Sequence, residues 1–83
     1  MPKGTSHLHS PRYRQFREKL VQARQDAGLT QIEVVTKLKK TQSWLSKSER
    51  GDRRLDVVEL EDLARLYGKP LSYFATRKNR SKS

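Results

Sequence analysis

Residues 41–50, Thr41-Gln42-Ser43-Trp44-Leu45-Ser46-Lys47-Ser48-Glu49-Arg50, carry amide, hydroxyl and cationic groups and only two apolar ones. Wound as a helix at about 100° per residue, Gln42, Ser43, Ser46, Lys47 and Arg50 share one arc of about 140°. Leu45 and Ser48 fall on the opposite side, and Trp44 lies on the flank nearer the core. Such a face can hydrogen-bond to planar edges and to anions. A glutamine amide matches adenine bidentately, a lysine donates to guanine acceptors, and a serine serves either. Arg53 and Arg54 follow at once and add two cations.

The charge balance agrees with that chemistry. The 83 residues hold 19 Lys+Arg against 9 Asp+Glu, a formal charge of +10. A polyanion is the expected partner, nucleic acid before an anionic membrane. The excess is uneven. Residues 29–54 hold seven basic and three acidic residues, whereas residues 55–76 hold two basic and four acidic ones. The second stretch is expected to face away from a polyanion.

Other chemistries are poorly supplied. No cysteine is present, which excludes disulfides, thiolate zinc sites and cysteine nucleophiles. His7 and His9 stand two apart in a polar stretch without a third ligand, so no metal site is expected. They are too remote for a Ser/His/acid triad. The four glycines stand apart and form no phosphate-cradling loop. The expectation is a non-enzyme without cofactor. No apolar run approaches the roughly 18–20 residues of a membrane span, and residues 1–10 lack a signal-peptide block. A cytoplasmic protein follows as the expectation.

Helical signals surround the polar face. Ser10 and Pro11 read as N-cap and first residue of a helix whose stripe is Tyr13, Phe16, Leu20, Ala23 and Ala27, stopped by Gly28. Thr30-Gln31-Ile32-Glu33 is a capping box that opens a second helix with Val34, Val35 and Leu38 on its inner side. Lys39 and Lys40 form a turn, and Thr41 caps the third helix, which ends before Gly51. Asp56 and Glu59 form another capping box with Leu55 and Leu60 at the staple positions. Its helix carries Leu63, Ala64 and Tyr67 and stops at Gly68. A short last helix or turn after Pro70 carries Leu71, Tyr73 and Phe74. With 33% apolar residues the chain can bury one small core. The fold expected is all-α: a compact bundle of about five short helices, residues 11–76, between a disordered arm (1–10) and a basic flexible tail (77–83).

The second and third helices, joined by about three residues, have the spacing of a helix-turn-helix. The run Gly28-Leu29-Thr30-Gln31-Ile32-Glu33, then Thr41 to Gly51, then Arg53-Arg54-Leu55-Asp56, resembles the lambda-repressor-like (Xre-type) helix-turn-helix family over roughly residues 13–75. The resemblance implies a five-helix DNA-binding bundle, often a dimer on a two-fold operator. It assigns base edges to Gln42, Ser43, Ser46 and Lys47. It assigns phosphates to Gln31, Thr41, Arg50, Arg53 and Arg54; Lys40 and Trp44, from their position, are expected on the flank of the duplex. Four positions depart from the family pattern: Val35 for a small residue, Lys39 for glycine, Lys40 for an apolar turn residue, and Ser48 for an apolar inner residue.

The function expected is a sequence-specific transcriptional regulator of double-stranded DNA. A homodimer is expected through late apolar groups, Leu66, Leu71, Tyr73 and Phe74. The rival reading is an antitoxin-like or bridging module that uses the acidic fourth helix to hold a protein partner. RNA binding is disfavoured by sparse aromatics.

Overall fold

A computed structural model describes residues 10–76. Four α-helices follow in order: α1 (Pro11–Asp26), α2 (Gln31–Leu38), α3 (Gln42–Arg50) and α4 (Val57–Tyr67). The fifth element is a single 3-10 turn, Leu71–Phe74, rather than a full helix. The all-α expectation holds, with four α-helices in place of about five. The proposed arm and tail lie almost wholly outside the described residues.

Each helix starts where a side chain can take up an orphan backbone N–H. The Ser10 hydroxyl accepts from the Tyr13 N–H at 3.1 Å. Thr30 accepts from the Glu33 N–H at 3.1 Å, and Glu33 accepts in return from the Thr30 N–H at 2.9 Å. Thr41 accepts from the Trp44 N–H at 3.1 Å. Asp56 and Glu59 complete a second reciprocal box at 2.8 and 3.1 Å. Every start falls on the residue that the sequence nominates. One stripe residue differs: α1 ends at Asp26, so Ala27 sits at its C-cap and is exposed.

The core is one cluster. Leu20 and Ala23 of α1 meet Val34 and Val35 of α2, Leu45 of α3, Leu63, Ala64 and Tyr67 of α4, and Phe74 of the turn. Full burial of a leucine is worth about 1.5–3 kcal/mol, and Leu20, Leu45 and Leu63 are fully buried. α1 is the hub, packing on α3, α4 and the 3-10 turn, while α2 packs on α3. Ser48 occupies a core position without loss: it is fully buried and its hydroxyl donates to the Trp44 carbonyl at 2.7 Å. A buried hydroxyl costs little once bonded.

Two backbone positions decide how α3 is set. Lys39 ends α2 in the left-handed region (φ 60°), the only non-glycine with positive φ among the described residues. Gly51 ends α3 at φ 87°. A β-carbon there would meet the Arg17 Nε at 2.7 Å. That same Arg17 donates through Nη1 to the Arg50 carbonyl at 2.9 Å, a side-chain cap on the end of α3.

A left-handed conformation costs an L-residue roughly 1–2 kcal/mol, part of which glycine returns as unfolded-state entropy. Lys39→Gly is therefore expected to stabilise the domain by about 0.5–1 kcal/mol. Urea denaturation checks this; equal or lower stability for the variant contradicts it.

Candidate nucleic-acid interface

α3 divides sharply. Leu45, Ser48 and Glu49 are buried, and Gln42, Ser43, Lys47 and Arg50 are exposed, with Ser46 half-buried at the margin. The outward residues are those that the helical arc groups together. Arg50 is not a loose cation. Its Nη1 donates to the Ser46 hydroxyl at 3.1 Å, and its Nε to the Asp52 carboxylate at 3.0 Å. Ser43 and Lys47 make no side-chain hydrogen bond or ion pair among the described residues.

A hydrogen-bonded chain runs from α1 to the first turn of α3. Arg24 grips Glu49 bidentately, Nε to Oε2 at 2.8 Å and Nη2 to Oε1 at 3.1 Å. The Gln31 Nε2 donates to Glu49 Oε1 at 2.8 Å. The Gln42 Nε2 donates to Gln31 Oε1 at 3.3 Å. Gln31 thus sits at the head of α2 between a buried carboxylate and the exposed amide of Gln42. Arg24 also donates to the Leu29 carbonyl at 3.1 Å, which secures the link between α1 and α2. The Glu49 side chain is only 6% exposed. Removing one partner of such a buried pair costs more than removing both, because a charge is left uncompensated. Neither Arg24 nor Glu49 stands out in the sequence. An acid at the boundary of the inner face, in a helix otherwise basic or neutral, was the available signal.

The flank is built around Trp44. The indole is half-buried, and its Nε1 donates to Glu59 Oε2 at 3.4 Å. The Lys40 Nζ lies 5.2 Å and the Arg53 guanidinium 5.5 Å from the ring centroid. Arg53 pairs with both Glu59 oxygens at 3.1 and 3.0 Å. The indole N–H therefore points to α4, and Arg53 is committed to joining α3 and α4. Arg54 is exposed and its side chain has no ion pair among the described residues. Thr41 is exposed at the same end of α3 as Gln42 and serves its cap.

The expected dimer residues differ in exposure. Phe74 is only 2% exposed and belongs to the core. The 3-10 turn folds it back on α1, where it meets Phe16 edge-on at 6.5 Å. Leu66 and Tyr73 are half-buried, and Lys69 covers the Tyr73 ring at 4.7 Å. Only Leu71 is openly exposed. The most exposed large apolar residues lie elsewhere: Val57 and Val58, 62% and 60% exposed, and Ile32, 53%. Val57 edges an apolar groove of about 500 Å³, floored by Tyr13, Phe16, Leu60 and Phe74. The capping box gave these valines a place in the first turn of α4 but no direction.

Among the described residues no group of three His, Cys, Asp or Glu could hold a metal, and no helix is long and apolar enough to cross a membrane. His7 and His9 lie outside them.

The Arg53 hydrogen bonds, ahead of opposing desolvation, hold the Glu59 carboxyl below its ordinary value. Its contribution to stability is then complete above the unfolded glutamate pKa of about 4.3 and is lost as pH falls through the lower folded value. Glu59→Gln keeps the helix cap but not the charge. The wild type is expected to exceed this variant in stability at pH 7, with the gap closing as pH falls below about 4.3, the unfolded glutamate value. Urea titrations followed by Trp44 fluorescence report it, and a gap independent of pH contradicts it.

Residues 15–72, more than half of the chain, match the family model of a helix-turn-helix domain. No curated protein and no solved structure matches the chain. The match begins inside α1, spans both capping boxes and the whole of α3, and ends in the 3-10 turn. A two-helix unit with a polar outward second helix, braced by α1 and α4, is what such a domain requires. The chain belongs to the helix-turn-helix domain family, whose members bind DNA.

Proposed function

We propose that this protein is a sequence-specific transcriptional regulator of the lambda-repressor-like type, which lays α3 in the major groove of an operator as a homodimer. The observation that carries the reading is the division of α3. Amide, hydroxyl and cationic groups face outward together, while the one acid of the helix is turned inward and neutralised. The major groove accepts one α-helix, and its base edges present the donors and acceptors that these groups complement.

Gln42 and Ser43, at the N-terminal end of α3, are the principal base readers, with Lys47 and Ser46 further along. Thr41 and Gln31, at two helix N-termini, favour phosphate oxygens. Arg54 is the freest phosphate ligand. Arg50 reaches phosphate by exchanging Asp52 for it. Arg53, held by Glu59, contributes field and position more than a direct grip, and Lys40 and Trp44 border the duplex. Affinity then comes mainly from phosphates and choice of sequence from α3.

One domain reads one half-site, so a two-fold dimer doubles the sequence read. In this reading the dimer surface consists of Val57, Val58 and the groove that Val57 edges, with Leu71, rather than the buried Phe74. The same exposed valines, on the acidic helix, also suit a protein partner in an antitoxin-like or bridging role. The expected site of action is the cytoplasm, with no cofactor.

Gln42→Ala is expected to cost about 1–3 kcal/mol on the cognate duplex and to relax choice at one base pair. Arg54→Ala is expected to weaken all duplexes alike and to shallow the salt slope by about 1. Titrations of cognate and scrambled duplexes at several salt concentrations separate the two. Uniform losses for both variants contradict a reading face. Val58→Asp is expected to turn a sedimenting dimer into a folded monomer; an unchanged dimer places the interface elsewhere.

A further inference from the structure

We infer that the Arg24–Glu49 ion pair sets which base Gln42 selects, by fixing the polarity of two successive amides. The inference rests on the reading of Gln42 as a base contact. A guanidinium only donates and a carboxylate only accepts. Glu49, gripped bidentately by Arg24, can receive nothing from Gln31 except an N–H, at 2.8 Å. The Gln31 amide is therefore turned with its NH2 toward Glu49. Its carbonyl is left facing Gln42, and a carbonyl accepts only. Gln42 must in turn point its NH2 at Gln31, at 3.3 Å.

What Gln42 can still offer outward follows from this order. One N–H of its amide is engaged, so the carbonyl and the second N–H remain. Adenine offers an acceptor at N7 and a donor at N6, which that pair complements. Guanine offers two acceptors, N7 and O6, and the outward carbonyl would face an acceptor. A free glutamine could turn its NH2 outward and donate to guanine. Gln42 is held against that turn by a charge pair in the domain interior, relayed through the one intervening side chain of Gln31. Arg24 and Glu49 are positioning residues: they act on the duplex only through Gln31 and Gln42.

The geometry distinguishes two substitutions. In Glu49→Gln, the remaining carbonyl oxygen stays with Arg24 and the new NH2 faces Gln31. Both downstream amides then favour the reversed polarity, and Gln42 turns its NH2 outward. In Gln31→Leu the ion pair is intact but the link is cut, so Gln42 is free to turn. The first variant is expected to move preference from adenine toward guanine, and the second to flatten it.

The test uses the whole chain and a cognate duplex carrying adenine or guanine at the base pair where Gln42→Ala loses discrimination. Circular dichroism establishes that each variant is folded. The wild type is expected to prefer adenine by about tenfold. Gln31→Leu is expected to bring the ratio near unity, and Glu49→Gln to bring it to unity or invert it. If Glu49→Gln does not fold, Gln31→Leu decides alone, because it leaves Arg24 and Glu49 paired. A wild-type preference for guanine overturns the inference. So does an unchanged ratio in the folded variants, even where affinity falls on every duplex. If Gln42→Ala alters no base preference, the reading face itself is wrong and the coupling falls with it. If Gln42→Ala relaxes one position that the other variants leave intact, only the coupling falls.

Discussion

The bidentate pair between Arg24 and Glu49 joins the domain's interior to its outward face. α3 has too little apolar surface to hold itself in place: Leu45 is its one fully buried aliphatic residue. Its attachment is largely polar. Glu49 ties it to α1 and α2, Arg17 caps its end from α1, and the Trp44–Glu59–Arg53 cluster joins it to α4. A buried ion pair is weak evidence of net stability, because desolvation opposes the Coulomb attraction. Its value lies in direction. Apolar packing holds a helix down, whereas a bidentate pair also sets its rotation, and the rotation of α3 decides which residues face outward.

The charge of +10 is divided between the interior and the outward face. Several arginines are committed inside the fold: Arg24 to Glu49, Arg53 to Glu59, and Arg17 to the α3 carbonyl end. The outward face is correspondingly modest, with Lys47, Arg50 and Arg54 around the uncharged Gln42 and Ser43. Acids are used in the same economy. Glu49 and Glu59 neutralise interior cations, so α3 presents no carboxylate beside its amides. Net charge suggests a polyanion, and the pairing within the fold determines which cations remain for it.

Local features were legible in the sequence because their physics is local. Ser10, Thr30, Thr41 and Asp56 cap helices through bonds that span three residues, and those starts are where the chain indicates them. The face of α3 follows from helical periodicity alone. The features that escaped depend on contacts across the chain. Arg24 and Glu49 lie 25 residues apart, and nothing in their spacing pairs them. Ser48 looked like a gap in the core, but its hydroxyl is satisfied by Trp44 one turn back. Phe74 looked available on the surface until the turn after Pro70 folded it onto Phe16. Val57 and Val58 lie inside the Asp56–Glu59 capping box, which fixes where a helix starts and not which side it shows.

In the function proposed for this protein, α3 reads sequence from the major groove and two copies do so together. Selection of bound duplexes from a random pool, at about 0.15 M ionic strength where surface charges act over about 8 Å, tests it most directly. The expected result is enrichment of a motif with two-fold symmetry, its half-sites about 10–10.5 base pairs apart or a multiple of that. Salt-sensitive binding that enriches no motif would contradict it.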